Sequence, residues 1–161
     1  MSDFRSGALR SFGFLGALLV VMSTFVAWYD FDVLFSVQGV VHQFVVPVDL
    51  WSLYPLAAAL LCAGALVCTW IVGVSSGRVA GAIAALLSLG VVVYAAVRIF
   101  DIPGLAVDQL PPGLANAVEA ATNLEGGPFL ALLGGIMLSL GALGVLFPAP
   151  AGSGQRWAPS A

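Results

Sequence analysis

The chain has 161 residues, of which 61% are hydrophobic and 8% are charged. So few charges cannot cover the surface of a water-soluble domain of this size, because exposed apolar faces would associate. The net charge of −3 also excludes a nucleic-acid-binding protein, which needs a basic surface. The composition therefore predicts an integral membrane protein.

Four apolar stretches are long enough to cross the hydrocarbon core of a bilayer, which takes about 20 residues each. They cover residues 11–29, 50–74, 79–100 and 128–147. The first stretch is longer than the apolar core of a secretory signal, which favours a retained helix. We therefore predict an all-α membrane fold, with a four-transmembrane-helix bundle as a single domain over residues 1–147. The proline-, glycine- and serine-containing tail, residues 148–161, has the composition of a disordered cytoplasmic segment.

The charged residues are sorted between alternate connections of the four spans. The basic set is Arg5, Arg10, Arg78 and Arg156, and the acidic set is Asp30, Asp32, Asp49, Asp101, Asp108, Glu119 and Glu125. Only Asp3 and Arg98 depart from this sorting. Because arginine accumulates in cytoplasmic loops, the pattern predicts a multi-pass protein of the bacterial inner (cytoplasmic) membrane with both termini in the cytoplasm.

The first outer segment, residues 30–49, has the pattern of a small β-hairpin. Apolar residues alternate with other residues from Phe31 to Val37, and β-branched residues follow Gly39. Pro47 makes the second strand an edge strand or ends it early. Because a lone hairpin is marginally stable in water, we expect it to lie against the mouth of the bundle or the other outer segment.

The second outer segment, residues 101–127, has helical periodicity. Apolar residues recur at helical spacing from Leu114 to Leu124, after Pro111-Pro112 and before Gly126-Gly127. Proline is favoured at the start of a helix and glycine just past its end. The segment therefore predicts a short amphipathic helix on the bundle or at the interface.

Small residues recur at four-residue spacing on two spans, which favours close helix packing in lipid. They are Gly77, Gly81 and Ala85 in the third span and Ala131, Gly135 and Ser139 in the fourth. These stripes predict a compact bundle, and they would also suit a face for a partner subunit.

Four aromatic residues flank the outer ends of the first two spans: Trp28, Tyr29, Trp51 and Tyr54. Amphipathic rings are enriched where a protein meets lipid headgroups. These residues therefore predict an aromatic belt at the outer interface.

Arg98 lies about one turn from the outer end of the third span. Tyr94 precedes it by four residues and Asp101 follows it by three, so helical spacing puts all three on one side. A charge at this depth is costly unless it is paired or reaches water. We expect either an Arg98–Asp101 pair that anchors the helix or a polar pocket in which Arg98 receives an anion. The candidate outer-mouth cluster comprises Tyr94, Arg98, Asp101, Asp30 and Asp32.

The sequence offers no catalytic constellation. His42 is the sole histidine, and a metal site needs several ligands at defined spacing. No span carries a carboxylate, histidine or lysine near its middle, as ion pumps and proton-coupled carriers usually do. We therefore predict no catalytic residue, no metal site, no cofactor and no enzymatic activity.

Three segments carry a resemblance. They are Trp28-Tyr29, Arg98-Ile-Phe-Asp101-Ile-Pro-Gly104 and Gly127-Pro-Phe-Leu-Ala-Leu-Leu-Gly-Gly135. In these the chain resembles small four-helix integral membrane proteins of actinobacterial type, a resemblance that implies no activity. The topology, with β structure in the first outer loop, also resembles the claudin-type bundle, although the Trp/Cys signature of the claudin outer loop is missing.

These observations favour a non-enzymatic accessory or scaffold subunit whose outer face contacts a partner protein or envelope lipid. The partners we expect are membrane lipid, another membrane or envelope protein, and a second copy of the chain. The alternative is a small transporter or channel, a reading that also allows an oligomer, with Arg98 and the acidic rim at its outer mouth. An enzyme acting on lipid at the outer face would need Asp30, Asp32, His42 or Arg98 to converge.

Overall fold

The computed structural model describes residues 2–37, 40–74, 77–100 and 118–147. Within these ranges the helices are α1 (Ser2–Ser23), α2 (Leu50–Leu53), α3 (Pro55–Val74), α4 (Arg78–Phe100) and α5 (Gly126–Leu146). The strands are β1 (Ala27–Val37), β2 (Val40–Asp49) and β3 (Val118–Leu124). The predicted helical membrane fold with a hairpin after the first helix is confirmed. The tail, residues 148–161, lies outside the described residues.

Three of the helices are long and apolar enough to cross a membrane. They are α3, α4 and α5, with 20, 23 and 21 residues, and Ala8–Ser23 within α1 is a shorter apolar helix. By length and hydropathy the chain is a multi-pass membrane protein.

The bounds of the first two predicted spans differ from those of the helices at the ends that adjoin the hairpin. Helix α1 ends at Ser23 rather than Tyr29, and the hydroxyls of Ser23 and Thr24 donate to the carbonyls of Val20 and Val21. Such local bonds give the backbone an alternative to further helix. The second span is interrupted after Leu53, because Pro55 has no N–H with which to continue α2 and instead begins α3.

Helix α5 lies between α1 and α4 and packs closely against both. A Cβ atom on Gly16 of α1 would lie 2.6 Å from the Gly134 carbonyl oxygen. A Cβ on Gly81 of α4 would lie 2.7 Å from the Leu146 backbone nitrogen. Glycine is thus what lets these backbones touch. Helix α3 contacts α1 and α4 less extensively.

The small residues of the two predicted stripes occupy unequal environments. Ala131 is fully buried, Gly135 meets Val91 and Val92, and the Ser139 hydroxyl donates to the Ser88 hydroxyl at 3.0 Å. Ala85 is partly buried against the core. Gly77 differs from the expectation, because no atom lies within 4 Å of where its Cβ would be. Gly77 immediately precedes α4, so it lies before the region of close packing.

The strands form one antiparallel sheet in the order β2-β1-β3. The predicted hairpin is confirmed, with Phe31 opposite Val46 and Val37 opposite Val40. Strand β3 comes from the second outer segment and pairs Tyr29 with Leu124. The expectation that the hairpin would lie against that segment is therefore also confirmed.

The predicted amphipathic helix is wrong over Val118–Leu124, where the chain is strand β3. Its apolar spacing suits a helix, but the second edge of β1 supplies backbone partners that only the tertiary fold brings within reach. Residues 101–117, which hold the rest of that prediction, lie outside the described residues.

The sheet is fixed to one end of the bundle, which we call the sheet end. Tyr29 and Phe31 are buried there, with Val48 and Leu124 packed beside them. Trp28, at 0% exposure, donates from its indole nitrogen to the Ser23 carbonyl at 2.6 Å. These contacts fix the position of the sheet relative to the helices.

Candidate functional site

Arg98 is held between two tyrosine rings from different parts of the chain. Its guanidinium carbon lies 4.3 Å from the Tyr54 ring centroid and 5.3 Å from that of Tyr94. Its Nη1 atom donates to the Tyr54 hydroxyl at 3.4 Å. Aromatic faces attract a partly desolvated cation, so the two rings orient the charge. Because Tyr54 immediately precedes α3, Arg98 bridges α3 and α4 at the sheet end.

Two other tyrosine hydroxyls, those of Tyr29 and Tyr94, lie near Arg98. The Tyr29 hydroxyl donates to the Arg98 carbonyl at 3.5 Å, which links β1 to the last turn of α4. The Tyr94 hydroxyl is buried beside the Arg98 side chain, but no described residue forms a hydrogen bond of good geometry with it. A buried hydroxyl without a partner is unusual in folded proteins and marks a place where a polar group would be stabilised.

The structure divides the predicted outer-mouth cluster. Tyr94 and Arg98 lie together, as their spacing on one helix indicates. Asp30 instead lies beside Glu125, the residue just before α5. Asp101 and the side chain of Asp32 lie outside what the structure describes.

Asp30 and Glu125 form a pair of carboxyl groups at the sheet end. The hydrogen bond between their side chains, together with the charge of Asp30, raises the pKa of Glu125 above its ordinary value. The Glu125 backbone N–H also donates to the Trp28 carbonyl at 3.1 Å. The two residues are distant in sequence, and only the β1–β3 pairing reveals their proximity.

A groove of about 230 Å³ runs between α3 and α4. Its lining is apolar and includes Leu60, Gly64, Leu87, Gly90, Val91 and Tyr94. At Gly64 and Gly90 no atom lies within 4 Å of the position of a Cβ, so the groove is open beside both glycines. Neither glycine belongs to a predicted stripe, and sequence spacing gave no signal for the groove.

Strand β2 is an edge of the sheet in the described part of the chain. Its apolar side chains are exposed, with 58% of Val40 and 56% of Val45 accessible, and Phe44 and Val46 are exposed beside them. Neighbouring residues of a strand point to opposite faces, so this apolar surface covers both sides of the edge. The strand continues through Pro47 to Asp49, as an edge strand can.

The predicted aromatic belt is only partly at the surface. Trp28 and Tyr29 are buried rather than facing headgroups, because both lie in β1 where the sheet meets the bundle. Trp51 and Tyr54 are half-buried. The Trp51 indole nitrogen donates to the Thr24 hydroxyl at 3.1 Å, and the ring lies 6.0 Å from that of Phe25.

Metal-ligating side chains do not gather in the described ranges, where no three His, Cys, Asp or Glu residues are close enough to hold an ion. The side chain of His42 is not among those described. Cys62 and Cys68 are free thiols, and Cys68 is buried in the bundle.

Comparison with protein-family models, with curated proteins and with solved structures gave no match. The resemblance to actinobacterial four-helix membrane proteins and to the claudin-type bundle therefore stays a prediction from the sequence. The function has to be argued from the residues themselves.

Proposed function

We propose that the protein is a non-enzymatic accessory subunit of the bacterial cytoplasmic membrane that binds an extracytoplasmic partner protein along strand β2. The observation that carries this proposal is the exposed apolar edge formed by Val40, Phe44, Val45 and Val46. The helical bundle anchors the sheet, and the buried residues Trp28 and Phe31 hold it in a fixed orientation.

An edge strand of this kind suits strand addition by another chain. Main-chain hydrogen bonds then provide affinity and alternate side chains provide specificity. Soluble proteins usually protect an apolar edge with charges, especially lysine, but this chain contains no lysine. The partner segment is therefore extended, with apolar residues on both of its faces. It ends its pairing beside Pro47, which has no N–H to donate.

Charge supports an outward-facing sheet. Asp30, Asp49 and Glu125 lie at the sheet end, whereas Arg78 begins α4 at the opposite end. Because arginine accumulates in cytoplasmic loops, this distribution favours an orientation with the sheet outside and both termini inside.

Site-specific crosslinking in native membranes tests the proposal. A photoreactive phenylalanine analogue replaces Val45 in the full chain, and the control places it at Leu66 of α3, which is 64% exposed. We expect a discrete heteromeric adduct from position 45 and none from position 66. Val46→Lys should reduce the yield from position 45, because a charge on the edge opposes strand addition.

Three results would count against this function. Equal adducts from both positions would indicate random collision, and a yield insensitive to Val46→Lys would exclude the edge as the contact. An adduct of twice the chain mass would identify a second copy of the chain as the occupant.

The transporter alternative has less support from the described residues. Backbone contacts at Gly16 and Gly81 close the seams that α5 forms with α1 and α4. These seams leave no width for a solute pathway, and the Ser88–Ser139 hydrogen bond satisfies both hydroxyls within the packed interface.

A further inference from the structure

We propose that the groove between α3 and α4 binds an acyl chain of one anionic phospholipid, whose phosphate contacts Arg98. This site lies within the membrane-spanning helices and uses none of the residues of the β2 edge. It therefore stands independently of the proposed partner protein.

The groove has an apolar lining and room for a segment of an acyl chain. Its volume of about 230 Å³ is several times the roughly 30 Å³ that one water occupies in the liquid. The lining is apolar, and both helices that form it have the length and composition of membrane spans. An apolar groove that opens toward the core of a bilayer meets hydrocarbon rather than water.

Two glycines keep the groove open. Gly64 on α3 and Gly90 on α4 leave space that any larger side chain would fill, since nothing lies within 4 Å of either Cβ position. Gly81 lies on the same helix as Gly90 yet touches the α5 backbone. On α4, Gly81 thus allows close contact with α5, whereas Gly90 leaves open space toward α3.

Arg98 supplies the complement to a phosphate at the sheet end of this groove. The lining residue Tyr94 is one turn before Arg98, and the guanidinium lies 5.3 Å from its ring centroid. A guanidinium has five N–H donors in a planar fork that suits phosphate oxygens. The Tyr54 hydroxyl accepts one of these donors, and the side chain is only partly buried. The buried Tyr94 hydroxyl adds a polar group that forms no hydrogen bond of good geometry with a described residue.

The combination of a cation and an apolar groove selects a lipid as the occupant. A free phosphate would leave the groove empty, and an uncharged helix of a partner would bring no anion to Arg98. An anionic phospholipid satisfies both, with its headgroup at the last turn of α4 and its chain descending between the helices. Arginine at such a depth commonly extends toward headgroups.

Native mass spectrometry of the purified full chain tests the site. The protein in detergent is mixed with phosphatidylglycerol or with phosphatidylcholine of the same acyl chains, and retained lipid is counted. We expect one retained phosphatidylglycerol, and an Arg98→Gln variant should bind it about tenfold more weakly because the charge-assisted contact is lost. Binding of phosphatidylcholine should be weak and should not change in this variant.

A second, independent experiment fills the groove with a side chain. Gly90→Leu adds a side chain into open space and should abolish retention of phosphatidylglycerol. Gly77→Leu is the matched control, since it also projects into open space but lies outside the groove. Circular dichroism and gel filtration of each variant establish that the fold is intact.

Retention of phosphatidylglycerol by a folded Gly90→Leu variant at the level of the unmodified chain would overturn the proposal. Equal binding of the two lipids, unchanged in Arg98→Gln, would also overturn it. Displacement of the lipid by millimolar inorganic phosphate would assign Arg98 to a free anion instead of a lipid headgroup.

Discussion

A close contact between Trp28 and Gly127 joins the sheet to the bundle. A Cβ on Gly127 would overlap the Trp28 indole ring and approach the Ala27 carbonyl oxygen at 2.9 Å. The ring is enclosed, and it also lies 5.9 Å from the ring of Tyr94. A side chain at position 127 therefore displaces either the indole or the beginning of α5.

We expect Gly127→Ala to lower the free energy of unfolding by about 3 kcal/mol, the upper range for overpacking a core. Gly126→Ala is the matched control, since its Cβ would meet only Val26 at an ordinary 3.8 Å. Its effect should stay within about 0.5 kcal/mol. Reversible unfolding in mixed micelles measures both, and equal stability of the two variants would contradict this account of the junction.

The Asp30–Glu125 pair makes a separate, pH-dependent contribution at the same junction. The raised pKa of Glu125 means that the folded chain binds a proton more tightly than the unfolded chain. The resulting stabilisation is fully present below the ordinary glutamate pKa of about 4.3 and is lost as pH rises through the raised value.

Glu125→Gln should therefore raise the thermal midpoint near neutral pH, because the amide keeps a donor for Asp30 and removes one charge. Below the ordinary glutamate pKa the variant and the unmodified chain should converge. Melting curves followed by circular dichroism across the acidic range provide the measurement. A difference in midpoint that is constant with pH would show that the carboxyl pair does not control it.

At the scale of elements, α4 packs tightly on one side and loosely on the other. The same substitution should therefore have opposite effects at two positions of this helix. Gly81→Ala would place a methyl group against Leu146 and should cost about 2 kcal/mol. Gly90→Ala meets no neighbour and should stabilise α4 by about 0.5–1 kcal/mol, since alanine is the better helix former.

Unfolding of the two variants in the same detergent decides between these expectations. If both substitutions changed stability in the same direction, the intrinsic helix preference of alanine, rather than contacts with neighbouring helices, would determine the effect.

The sequence was informative where the determining contacts are local. Alternation from Phe31 to Val37 predicted β1, and four-residue spacing predicted that Tyr94 and Arg98 lie together. Strand β3 was missed because its backbone partners belong to β1, far earlier in the chain. The periodicity of one segment cannot indicate a pairing partner elsewhere in the chain, and the spacing of Val118–Leu124 also fits a helix.

The candidate sites show the same division between local and distant contacts. Tyr54 was assigned to the interface belt because its position beside Pro55 gives no sign of Arg98 on another helix. Four-residue spacing identified Gly77 and Gly81 alike, yet only Gly81 meets a neighbouring backbone. The groove is lined by residues of two different helices, so it has no pattern within either one.

The charge distribution predicts an orientation of the protein in the membrane, and cysteine labelling tests this prediction. Cys62 and Cys68 are first replaced by alanine, and a single cysteine is then introduced at Val45 or Arg78. A membrane-impermeant maleimide should label position 45 in intact cells and position 78 only after permeabilisation, if arginine marks the cytoplasmic side. The reverse labelling pattern would place the sheet in the cytoplasm.

The strand order β2-β1-β3 also sets the sequence of assembly during synthesis. Strand β1 emerges early, but its partner β3 follows both α3 and α4 along the chain. Closing so long an interval costs entropy, which contacts formed earlier by the inserted helices reduce. The sheet therefore reaches its full width only after the intervening spans are in place. Pairing of β3 with β1 therefore requires that α3 and α4 have already been inserted into the membrane.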